Sequence, residues 1–70
     1  MTRLESCILN VHNTLKAAML PAPIGWIVEA TGERPENVQI ALNTLIVLGD
    51  VEKGHQDIFG RQTEVYWVKK

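Results

Sequence analysis

Several residue types that carry chemistry are scarce in this 70-residue sequence. Cys7 is the only cysteine, which excludes an internal disulfide and suits a reducing compartment. His12 and His55 are the only histidines, and the spacing between Cys7 and His12 does not put a ligand pair on one helical face. The sequence also lacks a phosphate-binding glycine loop, a serine elbow and zinc-site spacing. We therefore expect a protein that is not an enzyme and that holds no metal and no cofactor.

Long apolar runs and an excess of positive charge are absent as well. The longest strongly apolar run covers residues 45–48, which is far too short to span a bilayer. No basic-then-apolar leader is visible at the N-terminus, so we expect a cytoplasmic protein that does not contact a membrane. The formal net charge is −1, whereas small DNA-binding domains are typically basic. This balance counts against strong attraction to phosphates.

The composition that is present describes a folded chain. Hydrophobic residues make up 46% of the sequence and charged residues 21%, which is typical of a globular protein. No internal repeat, low-complexity tract or linker interrupts it. We expect residues 1–70 to form a single domain with a small core.

The first helix is predicted at about residues 3–20. Thr2 and Glu5 have the spacing of a capping box, which places the start of a helix near Arg3. Pro21 and Pro23 end the helix, because proline cannot continue one. Apolar residues with helical spacing form one stripe along this helix, at Leu4, Ile8, Val11, Leu15 and Met19.

Two further helices are predicted at about residues 24–31 and 35–48. Gly32 can close the second helix in the left-handed conformation, and Pro35 fits the first turn of the third. Gly49 stops the third helix. The predicted core positions of these helices are Ile24, Ile27, Val28, Val38, Leu42, Leu45 and Leu48.

A β-hairpin is predicted after Gly49, at about residues 51–68. Residues 51–55 and 63–68 are typical of strands, and residues 56–61 form the connection, in which Gly60 permits a tight bend. Tyr66 and Trp67 are adjacent in a strand and must point to opposite faces. We expect Tyr66 and Val68 on the inner face.

The residues around the turn between the second and third helices carry a family pattern. The second helix ends in an apolar pair and a Glu-Ala-Thr-Gly sequence, at Ile27, Val28, Glu29, Ala30, Thr31 and Gly32. The third helix has the matching valine, Ala-Leu pair, leucine and exit, at Val38, Ala41, Leu42, Leu45, Leu48, Gly49, Asp50 and Val51. In these residues the chain resembles the winged helix-turn-helix domains of small bacterial and phage transcription regulators.

This resemblance implies a mainly α fold of three helices with a small β-hairpin wing. It also implies a DNA-binding transcriptional regulator that places helix 35–48 in the major groove of double-stranded DNA and holds phosphates with the wing at residues 53–61. The sequence departs from the family at Glu33, where an apolar residue is usual. Between residues 33 and 50 it has three acidic side chains and one basic one, a net charge of −2.

Four residues of the third helix are candidates for reading bases: Asn37, Gln39, Ile40 and Asn43. Asparagine and glutamine can form paired hydrogen bonds with adenine, and an apolar side chain such as Ile40 can contact a thymine methyl group. The alternative is that they are ordinary surface residues beside a patch that binds another protein.

Three basic residues are candidates for phosphate contacts: Arg34, Lys53 and Arg61. For Arg34 the alternative is a local ion pair with Glu36. For Lys53 and Arg61 it is a solvated charge that keeps the edge of the hairpin from pairing.

Trp26 and Val47 are candidate contacts with a partner or with a second copy in a homodimer. The alternatives are local packing for Trp26 and burial beneath the hairpin for Val47. The sequence thus leaves two functions open. One is a DNA-binding regulator, and the other is a winged-helix module that binds a larger protein through Ile40, Val47 and Trp26.

Overall fold

Three α-helices occupy most of the first fifty residues in a computed structural model that describes residues 2–69. Helix α1 is Arg3–Ala18, α2 is Ile24–Thr31 and α3 is Pro35–Leu48. The bounds of α2 and α3 are those predicted from the sequence. The prediction for α1 was two residues too long.

The ends of α1 follow from local hydrogen bonds and backbone geometry. The hydroxyl oxygen of Thr2 accepts a hydrogen bond from the backbone N–H of Glu5 at 3.1 Å, which confirms the predicted helix start. At the other end Met19 has a φ of 59° and ends the helix. Met19 is 86% exposed and Leu4 is also exposed, so these two members of the apolar stripe lie outside the core.

The turn between α2 and α3 forms as the glycine positions predict. Gly32 has a φ of 72°, and its N–H donates to the carbonyl of Val28 at 2.9 Å. The hydroxyl of Thr31 donates to the carbonyl of Ile27 at 2.7 Å and accepts from the N–H of Glu33 at 3.3 Å. These bonds occupy backbone groups that the end of α2 would otherwise leave unpaired.

Three antiparallel strands complete the fold and lie in the order β1-β3-β2. Strand β1 is Ala22–Pro23, β2 is Val51–Ile58 and β3 is Arg61–Val68. The sequence predicted the hairpin but not β1, because Pro21 and Pro23 were interpreted only as helix breakers. The connection between β2 and β3 is also shorter than the predicted 56–61, since only Phe59 and Gly60 lie outside the strands.

The core lies between the helices and one face of the sheet. Tyr66 is 1% exposed and Val68 packs against the core from a partly buried position, so both lie on the inner face as predicted. Cys7 is buried in the same cluster. The buried residues of the core cluster are Cys7, Val11, Leu15, Ala22, Ile27, Val38, Ala41, Leu42, Leu45, Val51 and Tyr66.

The burial of two residues differs from the sequence prediction. Leu48 was predicted in the core but is exposed as the last residue of α3, whereas Leu45 one turn earlier is buried. Val65 was not predicted in the core but is buried. It lies opposite Pro23 of β1, a pairing that the sequence interpretation lacked. Across residues 2–69, no helix is both long enough and apolar enough to cross a bilayer.

Candidate functional site

One side of α3 is not used by the core. The buried residues of this helix are Val38, Ala41, Leu42 and Leu45. Of the four candidate base-reading residues, Ile40 and Asn43 are exposed, whereas Asn37 and Gln39 are half-buried. The exposed fraction of Ile40 is 46%, so an apolar side chain lies among polar ones on the open side of the helix.

Two of the candidate base-reading residues bond to each other. The side-chain amide of Gln39 donates to Oδ1 of Asn43 at 3.1 Å, one helical turn away. The bond uses one donor of Gln39 and one acceptor of Asn43. A paired contact with adenine needs both a donor and an acceptor from one side chain. The oxygen of Asn43 keeps a second lone pair and its amide nitrogen keeps both donors, so the Gln39–Asn43 bond does not by itself block such a contact.

Gln39 also acts on Tyr66, which connects α3 to the hairpin. The Tyr66 hydroxyl donates to Oε2 of Glu64 at 3.2 Å. Burial raises the pKa of Tyr66, hydrogen bonding by Gln39 acts in the opposite direction, and the negative charge of Glu64 raises it further. Oε1 of Glu64 lies 3.9 Å from Nε2 of His55. The hydroxyl of Tyr66, the carboxylate of Glu64 and the imidazole of His55 thus form a polar row across β3 and β2.

The sequence interpretation missed this polar connection. It placed Tyr66 in the core but assigned no role to its hydroxyl group. A buried tyrosine hydroxyl usually finds a hydrogen-bond partner, so the existence of a partner could have been expected. Its identity depends on the register of β2 and β3, which pairs Lys53 with Tyr66 and His55 with Glu64.

The three candidate phosphate-binding residues do not form one cluster of free cations. Arg34 lies 4.0 Å from Glu36, which is the local ion pair that the sequence left open. Both side chains are largely exposed, so the pair contributes little to stability and Arg34 can exchange it for another anion. Lys53 and Arg61 are both exposed.

Lys53 and Arg61 lie on opposite faces of the hairpin. Lys53 is opposite Tyr66, and Arg61 is opposite Ile58 beside the turn. Side chains alternate between the faces of a strand, and an odd number of positions separates Arg61 from Tyr66. Lys53 therefore shares the inner face with Tyr66, whereas Arg61 is on the other face. A duplex that meets one face of the hairpin reaches only one of the two cations directly.

The candidate partner contacts are open to solvent. Trp26 on α2 is about half exposed, and Val47 on α3 is 86% exposed. The alternative in which Val47 packs beneath the hairpin is therefore wrong. Leu48 beside it is also exposed, so the end of α3 presents two adjacent apolar side chains.

Two apolar features near the hairpin were not predicted. Phe59 stands fully exposed at the turn between β2 and β3. A groove also lies between the end of α1 and the sheet, lined by apolar and basic side chains that include Lys16, Met19, Leu20, Val65 and Trp67. The sequence interpretation did not predict this groove, because helical spacing does not show where the end of α1 lies relative to the sheet.

Residues 2–69 contain no cluster of three His, Cys, Asp or Glu side chains that could hold a metal ion. Burial raises the pKa of the Cys7 thiol, and the charge of Glu33 adds to this effect, so the thiolate is disfavoured.

Comparisons with protein-family models, curated proteins and solved structures found no match for this chain.

Proposed function

We propose that this chain is a small DNA-binding transcriptional regulator of the winged helix-turn-helix type. In this proposal α2 and α3 form the helix-turn-helix, α3 enters the major groove, and the β2–β3 hairpin is the wing. The observation that supports it is the open side of α3, where Ile40 and Asn43 are exposed and make no contribution to the core cluster. A helix held by its other side can offer these residues to base edges.

The charge of the chain limits the affinity that this function can have. Of the three candidate phosphate-binding residues, Arg34 and either Lys53 or Arg61 can meet phosphates directly when the duplex lies against α3 and one face of the hairpin. About two such contacts give a slope of roughly −2 for the logarithm of the binding constant against the logarithm of salt concentration. We therefore expect weak binding that depends visibly, but not steeply, on salt.

Fluorescence anisotropy of a labelled random duplex, titrated at low and then at physiological salt, tests the proposal. We expect micromolar binding at low salt that weakens with the slope given above. Selection of bound sequences from a random pool then tests base reading, with Asn43→Ala as the variant. Asn13→Ala is its matched control, since Asn13 is an exposed asparagine on α1. Absence of binding at low salt would contradict the proposal.

A second candidate function is that of a winged-helix module that binds another protein. One specific observation favours it. Ile40, Val47 and Trp26 are exposed, and residues 33–50 carry a net charge of −2. Exposed apolar side chains on an acidic surface suit a protein partner better than a phosphate backbone. This function predicts no DNA affinity at low salt and loss of a captured partner in the Val47→Glu variant, while Asn13→Glu retains it.

A further inference from the structure

Strand β2 is an outer strand of the sheet, with β3 on one side and no described strand on the other. Of residues 52–57, all but Gly54 are exposed, so the free edge is open to solvent. The strand is eight residues long and has no proline. Such an edge offers unpaired backbone groups to another strand.

The hydrogen bonds of the hairpin decide which residues face that edge. The N–H of Lys69 donates to the carbonyl of Asp50 at 3.0 Å, which continues the register of β2 and β3 by one pair. Bonded and non-bonded pairs alternate along an antiparallel ladder. The even-numbered residues of β2 therefore turn their backbone groups toward β3. Val51, Lys53, His55 and Asp57 turn theirs toward the free edge.

Only a few registers are then open to two copies that pair antiparallel through β2. Residues that face the edge must oppose one another, so the registers differ by steps of two residues. When His55 opposes its own counterpart, Lys53 of each copy opposes Asp57 of the other. A register shifted by two residues has neither of these charge pairs. A register shifted by four residues places Lys53 opposite Lys53, or Asp57 opposite Asp57, so that like charges face each other. Charge complementarity thus selects one register.

We propose that the free edge of β2 binds a second copy of this chain in the register centred on His55. Each opposed pair of edge-facing residues exchanges two backbone hydrogen bonds, and each Lys53 lies beside an Asp57 of the other copy. The two three-stranded sheets join into one. This contact goes beyond the proposed function and differs from the Trp26 and Val47 contact predicted from the sequence.

The same register gives Phe59 a neighbour. It brings the turn of each hairpin alongside Val51 of the other copy. There a depression is lined by Ile46, Gly49 and Val51 together with the charged residues Glu52, Lys53 and Lys69. In the isolated chain Phe59 is fully exposed and has a φ of 51°, a conformation that is unfavourable for a bulky side chain. The second copy would cover part of this exposed ring, with Ile46 and Val51 as the apolar part of the covering surface.

A cysteine cross-link tests the register directly. In the proposed pair two residues at position 55 have Cα atoms about 5.5 Å apart, which is within the range of a disulfide. His55→Cys is therefore expected to form a disulfide-linked dimer under mild oxidation. The matched control is Gln56→Cys, because position 56 opposes Gly54 of the other copy and the two introduced thiols lie apart. The unaltered chain controls for Cys7, which is buried.

A charge exchange tests the contact without a covalent bond, by sedimentation equilibrium at concentrations up to about 1 mM. Lys53→Asp or Asp57→Lys alone is expected to weaken dimerisation about tenfold, because like charges then face each other twice. The double variant Lys53→Asp, Asp57→Lys is expected to restore it. A monomer throughout this range, equal cross-linking at positions 55 and 56, or a dimer that all three variants leave unchanged would overturn the proposal. None of these measurements involves DNA.

Discussion

The indole ring of Trp67 lies across Gly54, so closely that a Cβ atom at Gly54 would stand 2.7 Å from Cη2 of the ring. Gly54 is opposite Val65, and Trp67 is opposite Glu52, so the two residues are diagonal neighbours on one face of the hairpin. The ring fills the space that a side chain at position 54 would take. Glycine in a strand often marks such a close approach.

Gly54→Ala is expected to push the Trp67 ring outward and to lower the free energy of unfolding by about 1 kcal/mol, the lower end of the cost of overpacking. Urea unfolding and the emission of Trp67 in a Trp26→Phe background measure both effects, and the emission should move to longer wavelength. Gly25→Ala is the control, because its added Cβ meets no atom within 4 Å. Because Gly25 lies in the first turn of α2 and not in its middle, Gly25→Ala should stabilise the helix by at most about 0.5 kcal/mol. Unchanged emission from Gly54→Ala would show that the ring does not lie over residue 54.

Tyr66, the only tyrosine, should ionise at higher pH in the folded chain than in the unfolded one. Burial raises its pKa, so the folded state keeps the proton where the unfolded state begins to lose it, at about pH 10. This contribution to stability is complete below that pH and is lost as the pH rises from there through the higher pKa of the folded state.

The ultraviolet absorbance of tyrosinate, followed in the native chain and in urea, measures both titrations of Tyr66. Tyr66→Phe should remove the absorbance change and reduce the loss of stability at high pH. It should not abolish that loss, because burial also raises the pKa of Cys7. Coincident native and unfolded midpoints would contradict the buried hydroxyl.

Phe59→Asn is expected to stabilise the monomer by about 1 kcal/mol, the lower end of the cost of a non-glycine residue held at positive φ. Phe59 and Gly60 have φ values of 51° and 78°, which is the pattern of a type I′ hairpin turn, and asparagine is preferred before glycine in such turns. Thermal unfolding at low concentration measures the change. Phe59→Leu serves as the control, since it keeps an apolar side chain at positive φ and should not stabilise the turn.

Arg61→Ala should weaken binding to all DNA sequences similarly and reduce the salt slope by about 1, because a phosphate contact carries no sequence information. Asn37→Ala should instead relax sequence preference and leave the slope unchanged. Anisotropy titrations with matched and mismatched duplexes separate the two effects. Arg3→Ala controls for the loss of one positive charge, since Arg3 is an exposed residue of α1. An Arg61→Ala variant whose salt slope equals that of the unaltered chain would contradict a phosphate contact by Arg61 and would leave Lys53, on the other face of the hairpin, as the residue to test.

The candidate site was predictable only in part. The sequence located the open side of α3 correctly, since helical spacing alone separates Ile40 and Asn43 from Val38 and Leu42. It did not reveal that Lys53 and Arg61 lie on opposite faces. The reason is that the predicted connection of residues 56–61 left the register of the hairpin open, and a shift of one residue moves every side chain to the other face.

The sequence by itself determined where α2 and α3 begin and end, because Pro35, Gly32 and Gly49 act on the backbone within a turn or two. Only the tertiary structure decided the pairing of Ala22 with Tyr66, the burial of Val65 and the exposure of Met19. These depend on contacts between residues more than forty positions apart, or on where one left-handed residue redirects the chain. Local periodicity carries no information about such contacts, because their free energy is gained only when distant segments pack together.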